Sequence, residues 1–487
     1  MTDQITISIW LFLLLAAIAA LAMLDRILIP STRWFLRRRI NRVLDEIGTR
    51  LDIEIRPFQL TKRQVLIDRL AYDPKVVEEI QEYARQHEMP LEVVQKNVMT
   101  YAREIVPSFN AYLYFRMGYW IAKKAARLLY RVRVDLLDDE HYRFIDPNST
   151  VVFVMNHRSN MDYVLVAFLA AERTTLSYAV GEWAKIWPLQ MLIRAMGAFF
   201  VRRDSGNPLY RRVLERYIHM ATREGVCQAV FMEGGLSRDG RLQKAKLGLV
   251  DYMLRRFDPA TDRDVVFIPV GINYDRILED RSLLRTLDPA AGKRSWWFVC
   301  RTTCNFIGRS LVLMILSRWR RYGYACVNFG TPLSVKAYCR DREINFSRMA
   351  RTDRFPEIEK LSHRLMSAIA QVVPILPVSL VSMVFLEAMD TELDITDIEE
   401  RSNRLIDELQ SCGAPVFEMP RSTRVYDIAD AVDLMLLRRI VTESGGQFKA
   451  VSAEENILRY YANAIGHWRQ HRGKGVTPPS DANRNLE

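Results

Sequence analysis

At 487 residues, 49% of them hydrophobic, the chain exceeds one ordinary domain and can bury a large core, which excludes a disordered protein and favours two or three folding units. A net charge of +11 points to an anionic partner, a lipid surface or a phosphorylated metabolite; with no zinc-ligand spacing, RNP-like strand or basic tail, no nucleic-acid partner is expected. Six cysteines at irregular spacing fit a reduced compartment and supply neither a disulfide framework nor a metal site.

From the N-terminus, Ile5 to Leu24 runs twenty residues without a charge, enough to cross a hydrocarbon core of about 30 Å as a helix. Asp3 precedes this run and Arg26, Arg33, Arg37, Arg38, Arg39 and Arg42 follow it. It therefore reads as a transmembrane anchor over residues 1–30 and not as a cleaved signal peptide, with the body expected on the cytoplasmic side of the cell membrane. The basic stretch, with Trp34 and Phe35 inside it, suits contact with anionic membrane lipids. Residues 31–135 read as a helical N-terminal region, with helices at 61–70 and 76–87 around a turn at Asp73-Pro74, then a long pair broken near Pro107. Tyr112, Phe115, Tyr119 and Trp120, beside Lys123, Lys124, Arg127, Arg131 and Arg133, fit either a membrane interface or a core-facing helix.

Over residues 136–345 short β-branched runs alternate with helical ones. Strands are predicted at 150–155, 176–180, 198–201, 228–232, 265–272, 296–301 and 325–329, with helices at 161–171, 183–196, 209–223 and 246–256. The alternation predicts an α/β fold, a mixed or parallel sheet flanked by helices, and the unbroken VVFIPV at 265–270 marks a central strand. Residues 346–470 read as a helical C-terminal region, at 358–373, 395–410, 425–441 and 453–469. Within it the apolar stretch 372–389 carries Pro374, Pro377 and Glu387, and reads as a buried or membrane-surface helix and not a second span. Residues 471–487 form a polar tail expected to be disordered.

Four segments of the α/β region carry chemistry. In FVMNHRSNMD, 153–162, His157 follows a strand, and Ser159-x-x-Asp162 has capping-box spacing at the start of a helix. A neutral imidazole beside a fixed carboxylate is what takes a proton from an alcohol near neutral pH; the alternative is a capping acid and an uninvolved loop histidine. In GAFFVRR, 197–203, Arg203 can present a permanent cation to a phosphate while Arg202 points to the opposite face. FMEGGLSR, 231–238, ends a strand in Glu233, Gly234 and Gly235. Backbone N–H groups there can approach an oxyanion, Glu233 can meet polyol hydroxyls, and Ser237 with Arg238 can complete a phosphate pocket. In VVFIPVGINYD, 265–275, Pro269 fits an edge, bulge or strand end better than the middle of a ladder. No serine or cysteine is placed as a nucleophile beside His157, so direct transfer without a covalent enzyme intermediate is expected.

These four segments, in this order, resemble the four motif blocks of the glycerolipid acyltransferase superfamily, and most nearly its glycerol-3-phosphate and dihydroxyacetone-phosphate acyltransferases. ILRYYANAIGH, 457–467, is also similar to the C-terminal helix of the glycerol-3-phosphate branch. The resemblance implies His157 and Asp162 as catalytic residues, and Arg158, Ser159, Arg203, Glu233, Gly234, Gly235, Ser237, Arg238, Pro269 and Tyr274 as substrate-binding ones. It implies no metal, and no cofactor beyond the acyl thioester. The implied reaction moves a fatty acyl group from acyl-CoA or acyl-carrier protein to the sn-1 hydroxyl of glycerol 3-phosphate. Acylation of lysophosphatidate or another lysophospholipid is the alternative within the superfamily, and a catalytically silent lipid-binding membrane protein is the alternative of another class. Leu236 stands where the family's pattern has an arginine, so either a phosphate contact passes to Arg238, Lys244 or Lys246, or the acceptor is bound differently.

Overall fold

The computed structural model describes residues 56–110, 118–136, 144–170, 176–181, 193–202, 205–287, 322–416 and 421–472, with Tyr114 and Tyr142 besides. The anchor at 1–30, the strand at 296–301, most of the helix at 183–196, Arg203 and the tail beyond residue 472 lie outside the described residues. Chain contacts gather residues 55–171 and 175–487 into one unit, so the described parts of the N- and C-terminal helical regions share it with the sheet.

Helices α1 (Arg63–Ala71), α2 (Pro74–Gln86) and α3 (Leu91–Ile105) open the described chain. Helix α2 starts where the sequence places a turn: Asp73 caps it by accepting from the Lys75 N–H, and Pro74 occupies a first-turn position that lacks an N–H requirement. Val76, Ile80 and Ala84 on α2, and Val94, Val98, Ala102 and Ile105 on α3, recur at helical spacing and are buried in the main core. Helix α4 (Tyr119–Leu129) turns the small Ala122 and Ala126 inward and leaves Trp120, Ile121 and Leu128 exposed.

The central sheet contains β1 (Arg131–Leu136), β2 (Thr150–Met155), β3 (Ser177–Val180), β4 (Phe199–Phe200), β5 (Gln228–Phe231), β6 (Val265–Tyr274), β7 (Tyr324–Phe329) and β8 (Leu333–Ser334). Its order is β1-β7-β6-β2-β5-β3-β4, with β8 also pairing to β6. Strands β2 to β6 are mutually parallel, β7 runs antiparallel to β6, and β1 is parallel to β7, which gives the mixed sheet expected. Strand β1 corrects the boundary drawn at residue 135: Arg131-Val-Arg-Val alternates with period two and completes the sheet edge, although its arginines align it by composition with the basic helix before it. Helices α5 (Met161–Ala170), α6 (Pro208–Arg223), α7 (Gly248–Leu254) and α8 (Asp280–Arg285) fall between or after these strands.

Pro269 sits inside β6, all of whose residues are buried, and not at its end. On one side Pro269 is opposite Val154 of β2; on the other, β8 pairs with 266–267 and β7 with 270–274. The missing N–H thus falls in the gap between two antiparallel partners, where no ladder bond is due, while the Pro269 carbonyl accepts from Gly330.

The C-terminal region carries α9 (Val335–Asp341), α10 (Arg351–Val372), α11 (Pro377–Glu387), α12 (Ile395–Ser411), α13 (Arg421–Leu437), α14 (Glu455–Asn463) and α15 (Gly466–Arg472). Helix α10 begins ahead of Pro356, because a proline near the first turn forfeits only one backbone bond. Residues 372–385 are buried without a break, so α11 is a core helix, and no helix among the described residues is long and apolar enough to cross a membrane. Between α13 and α14 the region expected to be wholly helical forms a hairpin, β9 (Val441–Ser444) and β10 (Gln447–Ala450). Gly445 and Gly446, at φ of 61° and 80°, supply the two left-handed residues such a turn demands.

Helix α14 lies directly on the loop that follows β5. At Gly240, φ is 85° and a Cβ would stand 1.9 Å from the Tyr460 carbonyl oxygen. Gly240→Ala is therefore expected to lower stability by about 3 kcal/mol, through overpacking against backbone at a left-handed position, with urea unfolding as the measurement.

Candidate active site

Parallel pairing sets Met155 of β2 beside Phe231 of β5. The next segments leave the sheet side by side, so His157 and Glu233, each two residues beyond that pair, meet although 76 residues separate them. Asn156 closes β2 by exchanging side-chain hydrogen bonds with Ile272, its Nδ2 donating to the carbonyl at 2.9 Å and its Oδ1 accepting from the N–H at 2.8 Å. That bond pair pins the residue just before the histidine to the central strand.

His157 Nδ1 lies 2.8 Å from Asp162 Oδ2. The same oxygen accepts from the N–H of Arg158 at 2.7 Å and of Ser159 at 3.0 Å, and Oδ1 accepts from the Tyr274 hydroxyl at 2.6 Å. A carboxylate that receives donors at both oxygens acts only as an acceptor, which makes Nδ1 the donor of the ring and leaves Nε2 as the nitrogen not engaged by Asp162. The ring lies on Phe231, centroids 4.0 Å apart at 25°, and meets Tyr163 edge-on at 5.3 Å. His157 is 2% exposed and Asp162 fully buried, so the pair works out of reach of bulk water. Half of the capping box is formed: Asp162 accepts from the Ser159 N–H, while Ser159 Oγ caps the Met161 N–H at 3.1 Å in place of that of Asp162. The aspartate therefore both starts α5 and orients the imidazole, two readings that the sequence sets against each other.

Several residues expected on substrate are turned instead to the protein. Glu233 was expected on polyol hydroxyls, but its Oε1 accepts from the His157 N–H and its Oε2 from the Gln243 N–H, each at 2.9 Å, which braces one loop against the other. Burial raises its carboxyl to about 7, against the lowering effect of those two N–H groups. Tyr274 is a buried brace on Asp162, and burial followed by the Asp162 charge raises its hydroxyl well above the usual range. Ser159 Oγ donates to Glu279 at 2.8 Å, and burial raises the Glu279 carboxyl. Ser237 donates its N–H to the His157 carbonyl and its hydroxyl to the Arg241 carbonyl at 2.7 Å. The Gly234 N–H closes a turn on the Phe231 carbonyl, leaving the Gly235 N–H as the unengaged donor of that glycine pair among the described residues. Arg158 is buried, bonded to the Gly240 carbonyl and placed 4.9 Å over the Tyr460 ring. Arg238 is exposed, and the stem of Lys246 lies over Gly234. Arg202, as its alternation predicts, faces away and forks onto Glu104 at 2.9 and 2.6 Å. Among the described residues no group of three His, Cys, Asp or Glu side chains is gathered to hold a metal ion.

The C-terminal region contributes further contacts, several of them from the segment 457–467. Tyr461 donates to Asp280 at 2.6 Å and accepts from the Ile277 N–H and from Arg438, which also pairs with Asp280. Asn463 reaches the Asp239 carbonyl at 2.8 Å. Both loops flanking the His157 turn are thereby fastened to α13 and α14.

Residues 137–273 match the family described as Acyltransferase, and residues 310–471 match the Glycerol-3-phosphate acyltransferase C-terminal region. The chain is therefore similar to glycerol-3-phosphate acyltransferases in both stretches. It is 26% identical over 423 residues to the glycerol-3-phosphate acyltransferase of Aeromonas hydrophila, covering 84% of this chain and 50% of that protein. It is 28% identical over 423 residues to that of Pseudomonas entomophila, covering 84% and 49%. The chain thus spans about half the length of the curated relatives it matches. The crystal structure of the 1-acyl-sn-glycerophosphate (LPA) acyltransferase PlsC from Thermotoga maritima overlays on 52% of this chain and 78% of that one, at 16% identity and a TM-score of 0.29, too low to support a comparison of sites.

Two outcomes are expected from this geometry. Tyr274→Phe leaves Asp162 Oδ1 buried and unpaired and should cost about 1–3 kcal/mol in urea unfolding. Because Glu233 titrates near 7 when folded and near 4.5 otherwise, its contribution to stability is fully present below about 4.5 and is lost as pH rises through about 7. The difference in melting temperature between the wild type and Glu233→Gln should change across that window and stay flat outside it; a difference independent of pH would contradict the raised carboxyl.

Proposed function

We propose that this protein transfers a fatty acyl group from an acyl thioester, acyl-CoA or acyl-carrier protein, to the sn-1 hydroxyl of glycerol 3-phosphate. The observation that carries the reading is the buried His157–Asp162 pair, with Asp162 held by donors at both oxygens. His157 Nε2 takes the hydroxyl proton as the oxygen attacks the thioester carbonyl. The tetrahedral intermediate collapses with loss of the thiolate, which recovers the proton from the imidazolium, so neither an enzyme ester nor a further cofactor enters. Support for the acceptor comes from relatives that carry the name glycerol-3-phosphate acyltransferase and from the match of residues 310–471.

The reading includes a cell-membrane location with the body on the cytoplasmic side, supported by the uncharged run at Ile5 to Leu24 and the arginines after it. The exposed Trp120, Ile121 and Leu128 of α4, interspersed with Lys124 and Arg127, offer a second face suited to anionic lipid. Leu236 and the exposed Arg238 keep dihydroxyacetone phosphate as the competing acceptor and a catalytically silent lipid-binding protein as the second reading, because a phosphate contact of the pattern is missing from its usual place.

His157→Ala should reduce turnover about a thousand-fold with purified protein, one labelled acyl thioester and glycerol 3-phosphate, while circular dichroism and melting show it folded. Near-wild-type turnover by that variant would remove the base. Running lysophosphatidate and dihydroxyacetone phosphate in parallel identifies the acceptor, and product with none of them leaves only lipid binding.

A further inference from the structure

A second concentration of positive charge lies at the opposite edge of the sheet from His157. Helix α6 ends where β2 and β5 begin: Thr150 Oγ1 donates to the Thr222 carbonyl at 2.7 Å, and Gln228 Nε2 donates to Thr222 Oγ1 at 2.9 Å. His157 and Glu233 follow the other ends of those two strands. Beside that helix end is a cleft of about 380 Å³, lined by Arg69, Tyr72, Asp73, Arg216, His219 and Arg223 among others.

The charges around this cleft do not balance. Arg69 pairs with Glu224 at 3.2 Å and Arg216 with Asp73 at 2.8 Å. That single bond uses one nitrogen of Arg216; its Nε and Nη1 are buried without a hydrogen-bond partner. The neighbouring arginines are neutralised elsewhere, Arg212 by Glu79 and Glu215, Arg255 by Glu215 and Asp251, and Arg354 by Asp251. Arg223 and Arg256 have no carboxylate partner among the described residues. Arg223 closes α6 and the half-buried Arg256 lies just past α7, so each also answers the dipole of the helix it follows. His219 registers the resulting potential: burial, then Arg216, Arg256 and Arg223, push its imidazole down to about 4. A folded chain that keeps uncompensated, partly desolvated arginines around a concave surface sacrifices stability for a bound negative charge.

We propose that this cleft is a binding site for a phosphate-bearing anion, distinct from the acyl-transfer centre, with Arg216 and Arg223 as its cationic lining, Arg256 close by, and His219 as a neutral hydrogen-bonding group. The volume admits a small phosphate ester or a lipid headgroup, and the exposed ring of Tyr72 offers a flat contact at the rim. Both sources share the oxyanion chemistry that guanidinium groups read.

The test uses the intact chain with inorganic pyrophosphate at fixed ionic strength, comparing wild type with the double variant Arg223→Gln, Arg256→Gln. Without anion, the variant should remain folded and melt cooperatively, since both substitutions are at partly exposed helix ends. Titrated pyrophosphate should raise the wild-type melting temperature and bind the variant at least about tenfold more weakly, a loss of about 1.4 kcal/mol. Acyl-transfer turnover at saturating substrate should be the same in both. A variant that binds pyrophosphate as the wild type does overturns the site. A second arm uses phosphatidylcholine vesicles with and without phosphatidic acid: vesicle binding that depends on phosphatidic acid and is lost in the variant assigns the anion to a lipid headgroup. Vesicle binding unchanged in a variant that has lost pyrophosphate assigns it to a soluble ester.

Discussion

The carboxylate of Asp162 organises the centre of this molecule. It is fully buried, and a buried carboxylate is stable only when hydrogen bonds replace the water it has lost. Four donors do so: the His157 ring, the Arg158 and Ser159 N–H groups, and the Tyr274 hydroxyl. Two of these come from the turn that carries the histidine and one from the far end of the longest central strand. One anion thereby defines the turn, starts α5, ties it to β6 and fixes which nitrogen of the imidazole holds the proton. Each role reinforces the others, because any donor that moved would leave charge unsolvated in a low-dielectric interior.

Glu233 repeats the device at lower charge density. Its two oxygens bridge the His157 and Gln243 N–H groups, and burial brings its titration to about 7. The neighbouring strands β2 and β5 supply the proximity and the carboxylate supplies the lock. Around this, α14 and α13 hold the flanking loops through Tyr460, Tyr461, Arg438 and Asn463. The C-terminal region is thus part of the scaffold of the site, which gives a physical meaning to the family match at 310–471: the loops beside the histidine rest on it.

Much of the architecture was legible because it follows from periodicity. Strands β2, β5 and β6 begin where the β-branched runs begin, and the parallel core with its crossover helices follows from their alternation. The strand β1 was hidden by its arginines, and the β9–β10 hairpin by a pair of glycines that also punctuates helices. At the site, His157, Asp162, Glu233, Ser237 and Tyr274 of the sequence motifs do converge, and the hydrogen bonds they make run to one another and to neighbouring loops. Residue type shows that a side chain can form a hydrogen bond; it cannot show that the bond is already taken. Glu279 and Gln243 had no signal at all, because an acid or an amide in a loop is ordinary until its neighbour is known.

The sequence by itself determined the α/β class, the chemical kind of the central pair and the uncharged N-terminal run, all of which depend on local spacing and composition. Tertiary structure alone decided that a glutamate 76 residues away would clasp the histidine's backbone, that 372–389 would be a core helix, and that arginines on α6 and after α7 would crowd one cleft. The reason is common to all three. Spacing along the chain constrains only what lies within a helical turn or a strand repeat, whereas register between strands and the packing of distant helices determine which charges and donors meet, and burial then determines how strongly they interact.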